Sequence, residues 1–60
     1  MDNTPDLAVV SVKDNLPPVG CHVIVVCKDF RCLGYLDHDS VWRDAAHQTE
    51  LQNVIGWLPL

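Results

Sequence analysis

Two runs of β-branched residues lie in the first half of the chain, and they constrain its fold more than any other feature. The run Leu7–Val12 has the sequence LAVVSV, and His22–Lys28 has the sequence HVIVVCK. Valine and isoleucine favour the pleated, half-buried surface of a strand. The sequence nowhere repeats apolar residues at the i, i+3, i+4, i+7 spacing of an amphipathic helix over three turns. The chain is therefore expected to be built from strands.

Short strands and turns continue to the C-terminus. Lys13–Gly20 holds two prolines and a glycine, which indicates a crossover, and Lys28–Arg31 predicts a hairpin connection without the usual Asn-Gly signature. The remaining predicted elements are strands at Cys32–Asp37, Val41–Arg43 and Val54–Leu58, a tight turn at Asp37–Ser40, and a loop with at most one helical turn at Asp44–Asn53. This pattern predicts an all-β fold, a small antiparallel sheet or an SH3-like half-barrel of four to five short strands.

Particular positions within these strands carry further expectations. Val23–Val26 is apolar on both alternating faces, which is typical of a central strand covered on both sides. Gly34 indicates a bulge or a close backbone approach. Trp57 lies in the last strand, and its side chain is expected to cover one end of the core and so hold the C-terminal strand in place. Pro59 cannot donate a ladder hydrogen bond, so pairing should end there.

Length limits how much core the chain can build. Its 60 residues predict a single small β domain over 1–60, in which 1–7 form a flexible N-terminal segment. A chain of this size buries only about 60% of the surface that it exposes when unfolded. We therefore expect it to rely on a compact core or on a partner chain, either as a homodimer or in complex with a larger protein.

The charge balance favours some partners over others. Eight carboxylates against four cations give a formal net charge of −4. Such a surface repels phosphate, so direct binding of nucleic acid is disfavoured. A protein with a basic surface is a suitable partner, including one whose basic groove holds nucleic acid.

The compartment follows from features that the sequence lacks. The N-terminus MDNTPDLAVV is acidic where a signal peptide is basic, and the longest apolar run, Val23–Cys27, has five residues. A membrane-spanning helix needs about 20 apolar residues. Three cysteines are an odd number for a disulfide framework. We expect a cytoplasmic protein of the host cell that has reduced thiols and no membrane association.

Metal and enzyme chemistry are both disfavoured. The potential ligands are Cys21, His22, Cys27, Cys32, His38 and His47, but no pair of cysteines has the C-x-x-C spacing of a zinc knuckle. Cys21 and Cys27 would lie ~20 Å apart along a straight strand. A cysteine nucleophile with a histidine base also needs an oxyanion hole and a cleft, for which 60 residues leave little room. We expect no enzyme activity, no metal, no cofactor and structural cysteines.

One hairpin is the best candidate for an interaction surface. Phe30 lies at the predicted tip, between charged residues, where an exposed aromatic side chain is a suitable anchor for a partner protein. The alternative is that Phe30 folds back as a lid on the open end of the barrel. The candidate partner-binding residues are Phe30, Asp29, Asp37, Asp39 and Asp44.

The order of these motifs resembles a family of small proteins from the early regions of tailed phages and prophages, the Eaa-like domain of unknown function. Val9–Val12 occupies the opening, Leu16, Pro17 and Gly20 the turn, and Trp57, Pro59 and Leu60 the close of that pattern. Val9 stands where the family has tryptophan, and Gly56 stands where it has a histidine. The resemblance spans about Val9–Leu60 and implies a phage origin, without catalytic residues to carry over.

These observations leave two functional hypotheses. The first is a phage-encoded protein that binds and inhibits or modulates a host protein, such as a defence nuclease or a CRISPR-type effector. Its eight carboxylates would then face a basic nucleic-acid channel. The alternative is a self-assembling or metal-stabilised structural module without an inhibitory role.

Overall fold

The computed structural model describes residues 9–60, which form one open, five-stranded antiparallel sheet. The strands are β1 (Val10–Ser11), β2 (Val23–Cys27), β3 (Arg31–Leu36), β4 (Trp42–Asp44) and β5 (Val54–Leu58), and their order in the sheet is β1-β5-β2-β3-β4. The all-β antiparallel prediction is confirmed, and residues 9–60 contain no helix, so none that could cross a membrane. The flexible segment predicted at 1–7 lies outside the described residues.

The register defines two faces of the sheet. Val25 of β2 pairs with Cys32 of β3 on one side and with Trp57 of β5 on the other. Directly opposed residues of antiparallel strands point to the same face. The face of Val25, here called the core face, carries the buried cluster of Val23, Val25, Cys27 and Trp57, against which Val10, Val12, Trp42, Leu51 and Val54 pack.

Two loops pack along the edges of this cluster. In the crossover between β1 and β2, the carbonyl oxygen of Asn15 accepts a hydrogen bond from Nε1 of Trp57 at 3.1 Å. In the loop between β4 and β5, Leu51 packs on the cluster and donates its N–H to the carbonyl oxygen of Trp42 at 2.8 Å. Trp57 is therefore held by apolar packing and by a hydrogen bond, and it ties the C-terminal strand to the rest of the chain.

The opposite face, here called the open face, is less covered. Ile24 of β2 pairs with Leu33 of β3 on this face. Val26 is buried, Ile24 is half-buried, and Leu33 is 43% exposed. The predicted coverage of Val23–Val26 on both sides therefore holds only in part. The difference arises because the packed side chains that form the hydrophobic cluster belong to the core face.

Gly34 is required by a close approach between strands. A Cβ atom at this position would lie 2.5 Å from the carbonyl oxygen of Arg43 and 2.9 Å from Cγ2 of Val25. The bulge lies elsewhere, where Val26 pairs with Gly56 and Cys27 with Val54, which leaves Ile55 as the extra residue. The sequence prediction for Gly34 is confirmed as a close approach and not as a bulge.

The turn predictions match the backbone hydrogen bonds. Ser40 donates its N–H to the carbonyl oxygen of Asp37 at 2.9 Å, which closes the tight turn. Gln48 donates its N–H to the carbonyl oxygen of Asp44 at 2.7 Å, which closes a five-residue turn in this loop without forming a helix. An isolated bridge between Arg43 and Glu50 was not predicted, and it covers part of the outer edge of β4.

Candidate functional site at the β2–β3 tip

The tip of the β2–β3 hairpin is held from two directions. Cys27 donates its N–H to the carbonyl oxygen of Phe30 at 2.8 Å, so Lys28 and Asp29 form a two-residue loop. Lys28 donates its N–H to the carbonyl oxygen of Asn53 at 3.0 Å, in the loop that leads into β5. These bonds fix the position of the tip relative to two strands, so side chains at the tip are presented on an ordered backbone.

Two large apolar side chains are exposed at this tip. Phe30 is 52% exposed, and Ile55, the extra residue of the bulge, is 54% exposed. Both line one shallow recess of about 320 Å³, together with Val26, Cys27, Lys28, Asp29 and Arg31. Because half of its surface lies in solvent and it is not among the buried core residues, Phe30 does not act as a lid over the core.

The rim of the recess is charged. Lys28, Asp29 and Arg31 are all exposed and carry charges of both signs. An apolar centre with a polar, solvent-accessible rim is the usual arrangement of a protein–protein interface. The apolar side chains at this shallow recess can therefore pack against the surface of another protein.

Asp37, another predicted partner-binding residue, stabilises a turn at the far end of β3. Six residues of β3 separate it from Phe30, a distance of roughly 20 Å along the strand. Its carboxylate accepts hydrogen bonds from Nε of Arg43 and from the N–H groups of Val41 and Asp39. The Arg43 bond, followed by the Val41 bond, lowers the pKa of Asp37 below its usual value, and the same pairing raises the pKa of Arg43.

The other two predicted carboxylates also lie away from the tip. Asp39 is exposed in the β3–β4 turn, with its Oδ1 atom 3.7 Å from Nε2 of His38. Asp44 is half-buried at the end of β4, where its Oδ1 atom accepts a hydrogen bond from the N–H of Ala46 at 2.6 Å. The structure thus brings Phe30 together with Asp29, and Asp37 together with Asp39, but it does not bring all five predicted residues into one surface.

The three cysteines have different environments. Cys21 is exposed, Cys32 is half-buried and Cys27 is buried. Burial raises the pKa of the Cys27 thiol, and the nearby Cys32 adds to the effect; burial and then Asp44 raise the pKa of Cys32. A raised pKa keeps a thiol protonated, which makes it a poor nucleophile and a poor metal ligand. Residues 9–60 contain no cluster of three or more histidine, cysteine or acidic side chains that could hold a metal ion.

Ile55 is the part of the site that sequence reasoning missed. Its exposure depends on the register shift between β2 and β5, which places one extra residue on β5. The one local signal is the glycine that follows it, since glycine in a strand often marks a bulge.

A comparison with protein-family models, with curated proteins and with solved structures found no match to this chain.

Proposed function

We propose that this chain is a binding protein that acts by occupying the surface of another protein, with Phe30 as its main anchor. The observation that carries the proposal is the pair of exposed apolar side chains, Phe30 and Ile55, that line one recess at a hydrogen-bonded tip. Binding energy at protein interfaces is concentrated in a few residues, with aromatic side chains prominent among them. An ordered tip loses little conformational entropy on binding, which favours affinity.

The net charge of the whole chain favours a basic partner, although the rim of the recess itself holds two cations, Lys28 and Arg31, and one carboxylate, Asp29. The net charge is −4, and Asp14, Asp29, Asp39 and Glu50 are exposed in the described part of the chain. Such a charge accelerates association with a positively charged surface, and salt weakens this effect. Proteins that handle nucleic acid carry basic grooves of this kind. With the resemblance to a phage early-region family, the proposal is that the chain inhibits a host nucleic-acid-handling protein, such as a defence nuclease or a CRISPR-type effector.

Affinity capture from a bacterial lysate tests this proposal. Tagged wild-type protein is compared with Phe30→Ala and with Leu16→Ala, a matched control that removes an apolar side chain of 49% exposure from the crossover. Wild type and Leu16→Ala should capture the same basic nucleic-acid-handling protein. Phe30→Ala should recover at least about tenfold less, and salt raised from about 50 mM to about 500 mM should reduce recovery for all three.

Circular dichroism of each variant shows whether the sheet is intact, so that lost capture can be assigned to the missing side chain. Equal capture by Phe30→Ala and wild type would show that the tip is not the anchor. Recovery of no protein other than the tagged chain itself would contradict the inhibitor proposal and favour the self-assembling module.

A further inference from the structure

The crossover between β1 and β2 contains a short segment whose backbone is set by two prolines. Residues 16–19, here called the proline ridge, have the sequence Leu-Pro-Pro-Val, and both X-Pro peptide bonds are trans. Each proline ring fixes its own φ at about −65° and drives the preceding residue towards an extended ψ. Pro17 therefore has the φ and ψ of polyproline II, and Leu16 before it is extended. Both residues lie outside the strands and turns of the chain.

The ridge is held at both ends by buried residues. Before it, the carbonyl oxygen of Asn15 accepts the hydrogen bond from Nε1 of Trp57 at 3.1 Å. After it, Gly20 donates its N–H to the carbonyl oxygen of Leu36 at 2.8 Å, with a φ of 82° that glycine adopts without strain. Between these two contacts, Pro17 is itself buried. The ridge is therefore ordered before any partner binds, which lowers the entropy cost of binding.

The outward side of the ridge carries apolar groups and unused hydrogen-bond acceptors. Leu16 is 49% exposed, Val19 is 60% exposed, and Pro18 between them is exposed as well. Within residues 9–60, no donor bonds to the carbonyl oxygen of Leu16 or of Pro17. Proline has no N–H group, so covering Pro18 with an apolar surface leaves no backbone donor without a partner.

We propose that the proline ridge is a second binding site of this chain, which inserts into a groove lined by aromatic side chains on a partner protein. Grooves of this kind recognise polyproline II segments because the segment is already ordered and its carbonyl groups are accessible. Pro18 and Val19 pack between the aromatic rings of the partner. An indole N–H or a phenol hydroxyl of the groove donates a hydrogen bond to the carbonyl oxygen of Leu16 or Pro17.

The partner is a different protein and not a second copy of this chain. The sequence has four aromatic residues, and all of them lie in the described part of the chain. Trp57 is buried, and Trp42 packs against the core cluster. Phe30 lies at the β2–β3 tip, and Tyr35 contacts His22 with their ring centroids 5.5 Å apart. These four side chains do not form a groove that could hold the ridge of another copy.

The ridge is separate from the site at the β2–β3 tip. Gly20 bonds to Leu36, the last residue of β3, whereas Phe30 immediately precedes the first residue of that strand. The two sites therefore lie at opposite ends of β3, roughly 20 Å apart along the strand. Binding at the ridge goes beyond the proposed function and does not depend on it.

Amide NMR of the isotope-labelled full chain tests the proposal. The probes are a purified WW domain and a purified SH3 domain, since both have an aromatic groove for polyproline II. At least one probe should shift the amide signals of Leu16, Val19 and Gly20 until the shifts saturate. A variant of each probe with its groove tryptophan replaced by alanine is the matched control, and it should shift none of these signals.

Variants of this chain locate the contact. Pro18→Ala and Leu16→Ala should each weaken binding of the probe by about tenfold, because each removes an exposed apolar group from the ridge. Leu60→Ala removes a side chain of 79% exposure at the C-terminus and should bind like the wild type. The Nε1–H signal of Trp57 reports the fold, since it keeps its position while the bond to Asn15 is intact.

Three results would overturn the proline ridge as a binding site. They are the absence of shifts at the ridge with both probes, equal shifts with the probes that lack the groove tryptophan, and a Leu60→Ala variant as impaired as Pro18→Ala. Phe30→Ala should bind the probes normally, whereas Leu16→Ala should leave capture at the tip unchanged. Failure of the ridge and failure of the proposed function are therefore separate outcomes.

Discussion

Among single residues, Asp37 organises the β3–β4 turn through three side-chain hydrogen bonds. Its Oδ1 atom accepts hydrogen bonds from the N–H of Asp39 at 2.9 Å and of Val41 at 3.0 Å, while Oδ2 accepts from Nε of Arg43. All of these donors favour the ionised carboxylate, and the pKa of Asp37 lies below its usual value as a result. The residue that the sequence suggested for partner binding thus has a clear role in closing the β3–β4 turn.

This arrangement predicts a pH-dependent contribution to stability. Because the folded-state pKa of Asp37 is lower than its unfolded value, its contribution is fully present above the unfolded pKa and is lost as the pH falls through the folded pKa. Asp37→Asn should therefore lower the melting temperature most near about pH 7, and the variant and wild type should converge in acid. Thermal melts by circular dichroism measure this difference.

Asp39→Asn is the matched control for this prediction. Asp39 lies in the same turn, but its side chain is 69% exposed and its ion-pair contact is with the solvent-exposed His38. Loss of the Asp39 carboxylate charge should change the melting temperature little at any pH. A loss of stability in Asp37→Asn that is the same at neutral and acid pH would show that the ionised carboxylate is not the stabilising species.

At the level of secondary structure, β5 connects the chain end to the core. It pairs with β1 on one side and with β2 on the other, and it carries Trp57 into the buried cluster. Gly56 allows the close contact with β1, because a Cβ atom there would lie 2.5 Å from Cγ1 of Val9 and 2.7 Å from the carbonyl oxygen of Val10. Pairing ends at Leu58, and Pro59 and Leu60 are exposed. The strand therefore stabilises the fold through Trp57, and the two residues that follow it contribute little.

Two changes at the C-terminus should consequently have very different effects. Trp57→Ala removes a buried aromatic side chain and the hydrogen bond to Asn15, which costs about 3–5 kcal/mol. A domain of this size has a free energy of unfolding of roughly 3–9 kcal/mol, so this variant should be largely unfolded on warming. Deletion of Pro59 and Leu60 should change the free energy of unfolding by less than about 0.5 kcal/mol.

Urea unfolding of both variants, followed by circular dichroism, measures these free energies. If the truncated chain were as unstable as Trp57→Ala, the last two residues would contribute packing that their exposure does not indicate. If Trp57→Ala retained the wild-type midpoint, the buried cluster would not depend on the tryptophan.

For the whole molecule, the main property is a small core. The buried hydrophobic residues of the described chain are Val23, Val25, Val26, Cys27, Leu36 and Trp57. Four of them belong to β2, which lies in the centre of the sheet. Because one strand supplies most of the core and pairs with two others, we expect the sheet to unfold as a single cooperative unit.

The cysteines allow a direct measurement of this cooperativity. Cys21 is exposed and should react with a thiol-alkylating reagent at once, whereas Cys27 is buried with a raised pKa and should react only when the core opens. Alkylation of Cys27 should therefore rise with urea along the same curve as the circular dichroism signal. Peptide mass spectrometry resolves the two sites. Labelling of Cys27 well below the unfolding transition would show that the core opens locally.

Local patterns in the sequence determined the strands of this protein. β-Branched runs, Pro-Pro-Val-Gly and short polar turns are recognised from neighbouring residues. β5 was predicted at its observed bounds and β2 to β4 within one residue at each end. The strand predicted over Leu7–Val12 is shorter in the described residues, where β1 is Val10–Ser11 and Val12 lies in a turn. Gly34 was predicted as a bulge or a close approach, and the structure shows the close approach, to Arg43 and Val25 on the neighbouring strands. Physical propensities of this kind act over a few residues, and one sequence is enough to recognise them.

Only the tertiary structure decided which residues meet. The insertion of β5 between β1 and β2, the bulge that exposes Ile55, and the Arg43 contact with Asp37 depend on pairings between distant segments. The same pairings aligned Leu58, Ile24 and Leu33 into one row across the sheet. Register sets the face and the neighbours of every strand residue, and it is determined by the packing of the whole sheet.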